Sequence, residues 1–235
     1  MTFLQARAVD AVEEMDLPGC DPDLLERTYT QFALVNRAVS GWHGIYRARI
    51  RPRLSPGTIT TLLDIGCGGG DVPVMIARWA ARDGLRLEIT AIDPDARASR
   101  FARARKNSAG VIFRQSTAAE LAAEGRQYDV VISNHVLHHL GETELPEFLA
   151  ESASLARWQV IHNDLRRSPT AYVLFHIFAR IFTGSFIRQD GLTSIRRSYT
   201  PGELAAAAPP GWTVAPHSPF HHLLLHRVRA GTADG

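Results

Sequence analysis

Thr61-Leu62-Leu63-Asp64-Ile65-Gly66-Cys67-Gly68-Gly69-Gly70-Asp71 sets an acid near the end of a short apolar run and follows it with four glycines in five positions. Glycines in that pattern admit positive φ and let a ligand come close to the backbone, where a Cβ would stand in the way. Helical spacing resumes from Asp71 to Arg82. The turn therefore aims the free N–H groups of a helix start at its ligand, which favours an anionic group such as a carboxylate. A second acid lies in Asp93-Pro94-Asp95. Two further stretches hold side chains that can move protons, Asn134-His135-Val136-Leu137-His138-His139 and His162-Asn163-Asp164-Leu165-Arg166-Arg167. Together they offer carboxylates for a cation or a sugar hydroxyl and imidazoles for general base work.

Spacing restricts the ligand. A dinucleotide fingerprint needs glycine at the sixth position counted from Gly66, but Asp71 stands there and would face a pyrophosphate with the wrong charge. The acid for the ribose should follow about 20 residues on, whereas Asp93 lies 93 − 66 = 27 positions after Gly66. The loop also lacks the lysine of a phosphate-binding P-loop. A nucleoside without a pyrophosphate fits better.

The elements that must position these residues alternate strand and helix. Strands are expected at Thr60 to Ile65, Leu87 to Ile92, Val111 to Arg114, Tyr128 to Ser133 and Trp158 to Asn163. Helices are expected at Asp71 to Ala81, from Asp95 to about Lys106, at Ala119 to Ala123 and at Glu144 to Ala156. Strands written as continuous Val/Ile/Leu runs between helices imply a parallel sheet covered on both faces, an α/β doubly wound fold. Residues 1 to about 55 read as helical, with an Asp21-Pro22-Asp23 cap and apolar residues at three- and four-residue steps. An apolar helix follows strand five over Pro169 to Thr183, then a polar loop carrying Arg188, Gln189, Asp190 and Gly191. Thr200-Pro201-Gly202-Glu203 starts another helix, and Trp212 to Ala215 and Phe220 to Val228 supply two last strands before a frayed tail at 231–235. The expected organisation is an N-terminal helical cap at 1–57 within the same domain as 58–230, with 168–199 as an insertion covering the substrate.

Composition narrows the class. Of 235 residues 45% are apolar and 21% charged, with a net charge of +2, which is ordinary for a soluble globular protein and unlike a nucleic-acid binder. Cys20 and Cys67 are the two cysteines, too few for a disulfide framework, and a reducing cytoplasm fits. The N-terminus lacks the apolar core of a signal peptide. The most apolar stretch, Ala171 to Phe186, is broken by His176 and Arg180 and is too short to span a bilayer.

Asp64 to Gly70 resembles the first motif of the class I S-adenosylmethionine-dependent methyltransferases, Asp/Glu-x-Gly-x-Gly-x-Gly. Asp93 matches the acid that closes strand two in that family, and Tyr128-Asp129-Val130-Val131-Ile132-Ser133-Asn134-His135-Val136-Leu137-His138-His139-Leu140 is similar to its fourth motif. The likeness covers residues 58 to 165. It implies a Rossmann-like, mostly parallel seven-stranded sheet and S-adenosyl-L-methionine as cofactor. Asp64 would fix the ammonium, and Gly66, Cys67 and Gly68 would admit the methionine end. Asp93, with Pro94, would take the ribose hydroxyls, although a helix cap before Pro94 is a rival role for that acid. The family's acid after strand three is missing from Gln115-Ser116-Thr117-Ala118, so adenine recognition would fall to Thr117 or the backbone at Ala118. Asn134 and His135 would complete the cofactor shell.

For the chemistry, His135 and His139 lie four apart and would share a helical face. No glutamate follows His135 and the sequence shows no third ligand beside these histidines, so no metal is expected. Among the three histidines His139 is the best candidate base, with structural or cofactor-shell roles expected for His135 and His138. Asp164 or Arg166, at the end of strand five, could touch substrate or close a turn. Asp129 reads as structural. Tyr29, Phe32, Asn36 and Trp42 from the cap, and Tyr172, Phe175, His176, Phe178, Phe182 and Phe186 from the insertion, could cover a flat or apolar methyl acceptor such as a phenol, a quinol or a polyketide. Residues 189–200 resemble a stretch of actinobacterial-type methyltransferases of secondary metabolism. The expected reaction is O-methylation of a small molecule. The alternatives are a cofactor-binding protein of the same fold that cyclises its substrate or transfers no methyl, and a nucleotide-dependent oxidoreductase.

Overall fold

The computed structural model describes residues 4–105, 108–217 and 219–228. Seven strands, β1 (Thr60–Ile65), β2 (Leu87–Asp93), β3 (Ile112–Gln115), β4 (Tyr128–Asn134), β5 (Ala156–Leu165), β6 (Trp212–His217) and β7 (His221–Arg227), form one sheet ordered β3-β2-β1-β4-β5-β7-β6. β1 to β5 run parallel, and β7 is antiparallel to both β5 and β6. Chain order reverses between β1 and β4, which opens the crevice where doubly wound sheets bind ligands.

The apolar strand runs are explained by two cores. Leu62, Val130, Ile132 and Ile161 face α3 (Asp71–Arg82) and the N-terminal helices. Their neighbours Leu63, Val131 and Val160 face α5 (Ala118–Ala123), α6 (Glu144–Ser154) and α9 (Pro201–Ala207). Successive side chains point to opposite faces, so burial on both leaves no polar alternation.

The cap is only partly helical. α1 (Pro22–Val39) starts at Asp21, whose side chain accepts the Asp23 and Leu24 N–H groups. Gly41, at φ 70°, turns the chain into α2 (Trp42–Ile45), which continues as a π turn over Tyr46–Ile50. Residues 4–20 are not the expected helix. They form an irregular strap of turns and bends that includes a 3-10 turn at Glu14–Asp16. α4 (Ala96–Arg103) ends before Lys106, and Lys106 and the tail at 231–235 lie outside the described residues.

The insertion corrects a second expectation. After α7 (Pro169–Phe178), residues Ile187–Arg197 form helix α8, not a polar loop. Gly191 and the polar neighbours disguised it. A Cβ at Gly191 would come within 2.3 Å of the Phe175 ring, so the glycine is what lets α7 and α8 pack closely. Its helix-propensity cost is about 1 kcal/mol.

Candidate active site

A cavity of about 680 Å³ opens at the carboxyl ends of β1, β2 and β4. Asp64, Gly66, Cys67, Gly68, Asp93 and Pro94 line it, as do Thr117, Ala118, Asn134, His135 and His139. Asp164 does not.

Gly66, Gly68 and Gly70 all have positive φ. The reason for glycine differs between them. A Cβ on Gly66 would meet Val136 at 2.7 Å, whereas one on Gly68 would meet nothing within 4 Å. Close approach is thus demanded by Val136 at Gly66, and by backbone conformation alone at Gly68. The helix start behind the loop already has an acid of its own. Asp71 is buried there and accepts the Asn36 amide at 3.0 Å.

Three buried acids, Asp64, Asp71 and Asp93, crowd this end of the cavity. Burial, then Asp71 and Asp93, hold the Asp64 carboxyl well above its ordinary range, and its Oδ1 has no hydrogen-bond partner. A buried, unpaired carboxyl beside two others is costly unless a cation joins it. Asp93 spends one oxygen on the Gly68 N–H (2.8 Å) and the other on the Asp95 N–H (2.9 Å), so it braces the glycine loop. The helix cap beyond Pro94 is Asp95, not Asp93. Burial also pushes the Cys67 thiol up, leaving it unreactive.

Beyond β3, the Thr117 hydroxyl is committed to a capping box with Glu120. That use competes with adenine recognition and leaves Ala118 as the better placed of the two expected residues. Asn134 accepts the Trp42 indole N–H at 2.8 Å and the Asn163 amide at 3.0 Å, tying cap to sheet.

The histidines do not share a helical face. His135 sits at φ 58°, and a 3-10 turn over Leu137–His139 follows. The His135 Nε2 meets Nε2 of His221 at 3.1 Å, and burial lowers His135 to about 4, so it is neutral near pH 7. Asp164, a candidate either to touch substrate or to close a turn, lies beneath the turn. Its Oδ1 stands 2.7 Å from Nδ1 of His138, and its Oδ2 accepts the His138 backbone N–H at 2.9 Å. Both side chains are buried. Arg166 likewise turns away and donates to the Pro219 carbonyl.

Glu13 of the strap is the residue that sequence spacing could not find. It lies 3.4 Å from His138 Nε2 and 3.8 Å from His139 Nε2, and it accepts the Ser194 hydroxyl at 2.7 Å. Burial alone would keep His138 neutral, but Asp164 and Glu13 outweigh it and raise this imidazole to about 10. Glu13 is correspondingly lowered to about 2 by the two histidines and Ser194, against its own burial. Donor atoms of Glu13, His138 and His139 lie within 4.8 Å of one another, and the His138 proton supplies the positive charge among them. No local signal marks Glu13, because its partners are more than a hundred residues away.

Residues 62–159 match the family described as a methyltransferase domain. With the glycine loop, Asp93 and the β4 motif around one cavity, this matched stretch gives the chain its likeness to the class I S-adenosylmethionine-dependent methyltransferases. It is 29% identical over 158 residues to a ubiquinone biosynthesis O-methyltransferase of Methylobacterium sp. strain 4-46, covering 66% of this chain and 59% of that one. It is 33% identical over 150 residues to the protein so named from Azotobacter vinelandii, covering 62% and 60%. The chain thus spans less than two thirds of the length of these relatives. Among solved structures it resembles the plantazolicin methyltransferase BpumL in complex with SAH, with TM-score 0.55, 14% identity and 88% of each chain covered. It also resembles an O-methyltransferase family protein from Burkholderia thailandensis, with TM-score 0.60, 15% identity and 86% and 59% covered. At such identities the likeness is one of fold.

The site suits S-adenosylmethionine, the cofactor that the likeness implies. A cation is what the orphaned Asp64 oxygen and its two acidic neighbours lack, and the cofactor carries both an ammonium and a sulfonium. Among the described residues no helix is long and apolar enough to cross a membrane.

Proposed function

We propose that this methyltransferase methylates an oxygen of a small aromatic or lipophilic molecule. The observation that carries the reading is the make-up of this cavity. Its acidic, glycine-lined end meets an apolar end walled by Phe32, Val35, Phe175, Phe178, Ile187 and Ile195. The first end matches a cationic nucleoside, the second a flat apolar acceptor. The names of the ubiquinone-biosynthesis O-methyltransferases to which the chain is similar support an oxygen nucleophile and a quinol-like acceptor.

In this reading Asp64 pairs with the cofactor's ammonium, Asp93 accepts from the ribose, Ala118 flanks the adenine, and Asn134 and His135 wall the centre. When bound, S-adenosylmethionine supplies an electrophilic sulfonium methyl group. The chain's own work is to hold the acceptor in line, exclude water and remove a proton. His139, 31% exposed and in the cavity wall, takes the proton of the acceptor hydroxyl. Asp164 acts through His138 and touches neither ligand. Helices α7 and α8 of the 168–199 insertion cover the acceptor, and the cap at 1–57 closes the opposite wall as part of the same domain.

Transfer of labelled methyl to a panel of phenols, quinols, amines and polyketide pyrones tests the proposal. Labelled ethers of phenols or quinols are expected. Labelling of amines alone, or tight cofactor binding with no methyl transfer, would overturn it.

A further inference from the structure

The strap that carries Glu13 is fastened on both sides of the cavity. On the acceptor side, the Asp190 carboxylate of α8 accepts the Glu14 and Met15 N–H groups at 2.8 and 3.0 Å. Arg197 of the same helix donates to the Ala11 carbonyl at 2.9 Å and to the His139 carbonyl at 3.1 Å. On the cofactor side, Arg97 donates to the Met15 and Leu17 carbonyls at 3.1 and 3.0 Å while paired with Asp95. These ties deliver Glu13, 4% exposed, to the two histidines of the turn after β4.

A buried carboxylate served by one hydroxyl needs cationic company. Glu13 finds it in His138, which Asp164 backs from the other side. Its second neighbour is His139, whose Nε2 is 3.8 Å away and whose Nδ1 faces the Asp16 carboxylate at 3.4 Å. The two contacts are unequal. The Glu13 side chain is buried, whereas that of Asp16 is 44% exposed. Glu13 is therefore the fixed partner and Asp16 the yielding one.

Resting on the O-methylation reading above, we propose that Glu13 is the positioning residue of the reaction. Its carboxylate, 3.8 Å from Nε2 of His139, orients that ring by charge so that Nδ1 is presented to the acceptor. The hydroxyl proton of the acceptor passes to Nδ1, and the imidazolium so formed lies between Glu13 and Asp16. The base is complete only when the strap is docked, because its orienting carboxylate arrives from the other end of the chain. The other titratable or charged groups around the pair are Asp164 from β5, Asp190 from α8, His138 and neutral His135 of the same turn, and Arg7 and Arg197, which donate to the His138 carbonyl.

The test compares wild type, Glu13→Gln and Glu13→Asp. Glu13→Gln is expected to lower kcat on the order of 100-fold, the scale of a misplaced catalytic group, with the dissociation constant for S-adenosylmethionine within twofold of wild type. The acid limb of its kcat profile should move about one unit to lower pH, because a negative charge beside an imidazolium has been removed. Glu13→Asp should recover part of the rate and the original limb. An unmoved limb, or equal losses in turnover and cofactor affinity, would overturn the inference. Histidine side-chain NMR titration of the same proteins needs no acceptor. If wild type transfers no methyl to any acceptor, the O-methylation reading fails, and the inference then falls if Glu13→Gln leaves the His139 resonances titrating unchanged.

Discussion

Asp164 and His138 form a buried ion pair, 2.7 Å between Oδ1 and Nδ1, on which the turn after β4 rests. The second oxygen of Asp164 accepts the His138 backbone N–H, so one carboxylate fixes both the ring and the chain that carries it. Asp164 is depressed by this pairing despite its burial, and His138 is raised from its ordinary 6.5 to about 10. Removing one partner leaves a buried charge alone, and Asp164→Asn should cost about 3–5 kcal/mol of stability by urea denaturation. A loss below 1 kcal/mol would mean the pair is not charged.

The same network sets a pH window. With its pKa raised on folding, His138 contributes stability that is complete below pH 6.5 and lost as the pH rises through about 10. Glu13, lowered from 4.5 to about 2, contributes above pH 4.5 and loses that contribution as the pH falls toward 2. The network therefore stabilises most between pH 4.5 and 6.5. Thermal melting of wild type should decline on the alkaline side more steeply than that of His138→Asn, and parallel curves would refute this.

Asp64→Asn should raise the melting temperature of the ligand-free protein near pH 7, because it removes a carboxyl whose ionisation burial and two neighbouring acids oppose. The same change should shrink the thermal shift on adding S-adenosylmethionine. Loss of stability together with an unchanged cofactor shift would show that Asp64 does not meet the cation.

Asp93→Ala should weaken cofactor binding by about 1.5–3 kcal/mol in calorimetry, the scale for hydrogen bonds to a charged acceptor. Its brace on the Gly68 N–H goes as well, so the effect should sit at the high end. Unchanged affinity would reduce Asp93 to a loop brace.

His139→Ala should cut turnover while cofactor affinity stays nearly intact, read by labelled methyl transfer and calorimetry on one preparation. Equal losses in both would put His139 in the cofactor shell and leave the base unassigned.

Local spacing was enough to specify the strands and the glycine turn. A strand–turn–helix unit keeps Asp64, Gly66 and Gly68 within a few residues of each other, and Asp93 follows on the adjacent parallel strand. Period-2 and period-3.6 patterns report such neighbours directly. Where local chemistry was ambiguous the reading failed. Gly191 among polar residues looked like a loop because the reason for it, the Phe175 ring, lies on another helix. The strap looked helical because nothing in residues 4–20 reveals that Asp190, Arg97 and Arg197 take up its backbone groups.

The acid–base half was decided by tertiary structure alone. Sequence brought His135, His138 and His139 together but could not say which way each ring turns. The left-handed turn at His135 sends that ring to His221, the buried Asp164 takes His138, and Glu13 comes over the cavity to reach His138 and His139. Charge and orientation depend on which groups share a low-dielectric interior, and residues more than a hundred positions apart share one only after the chain has folded.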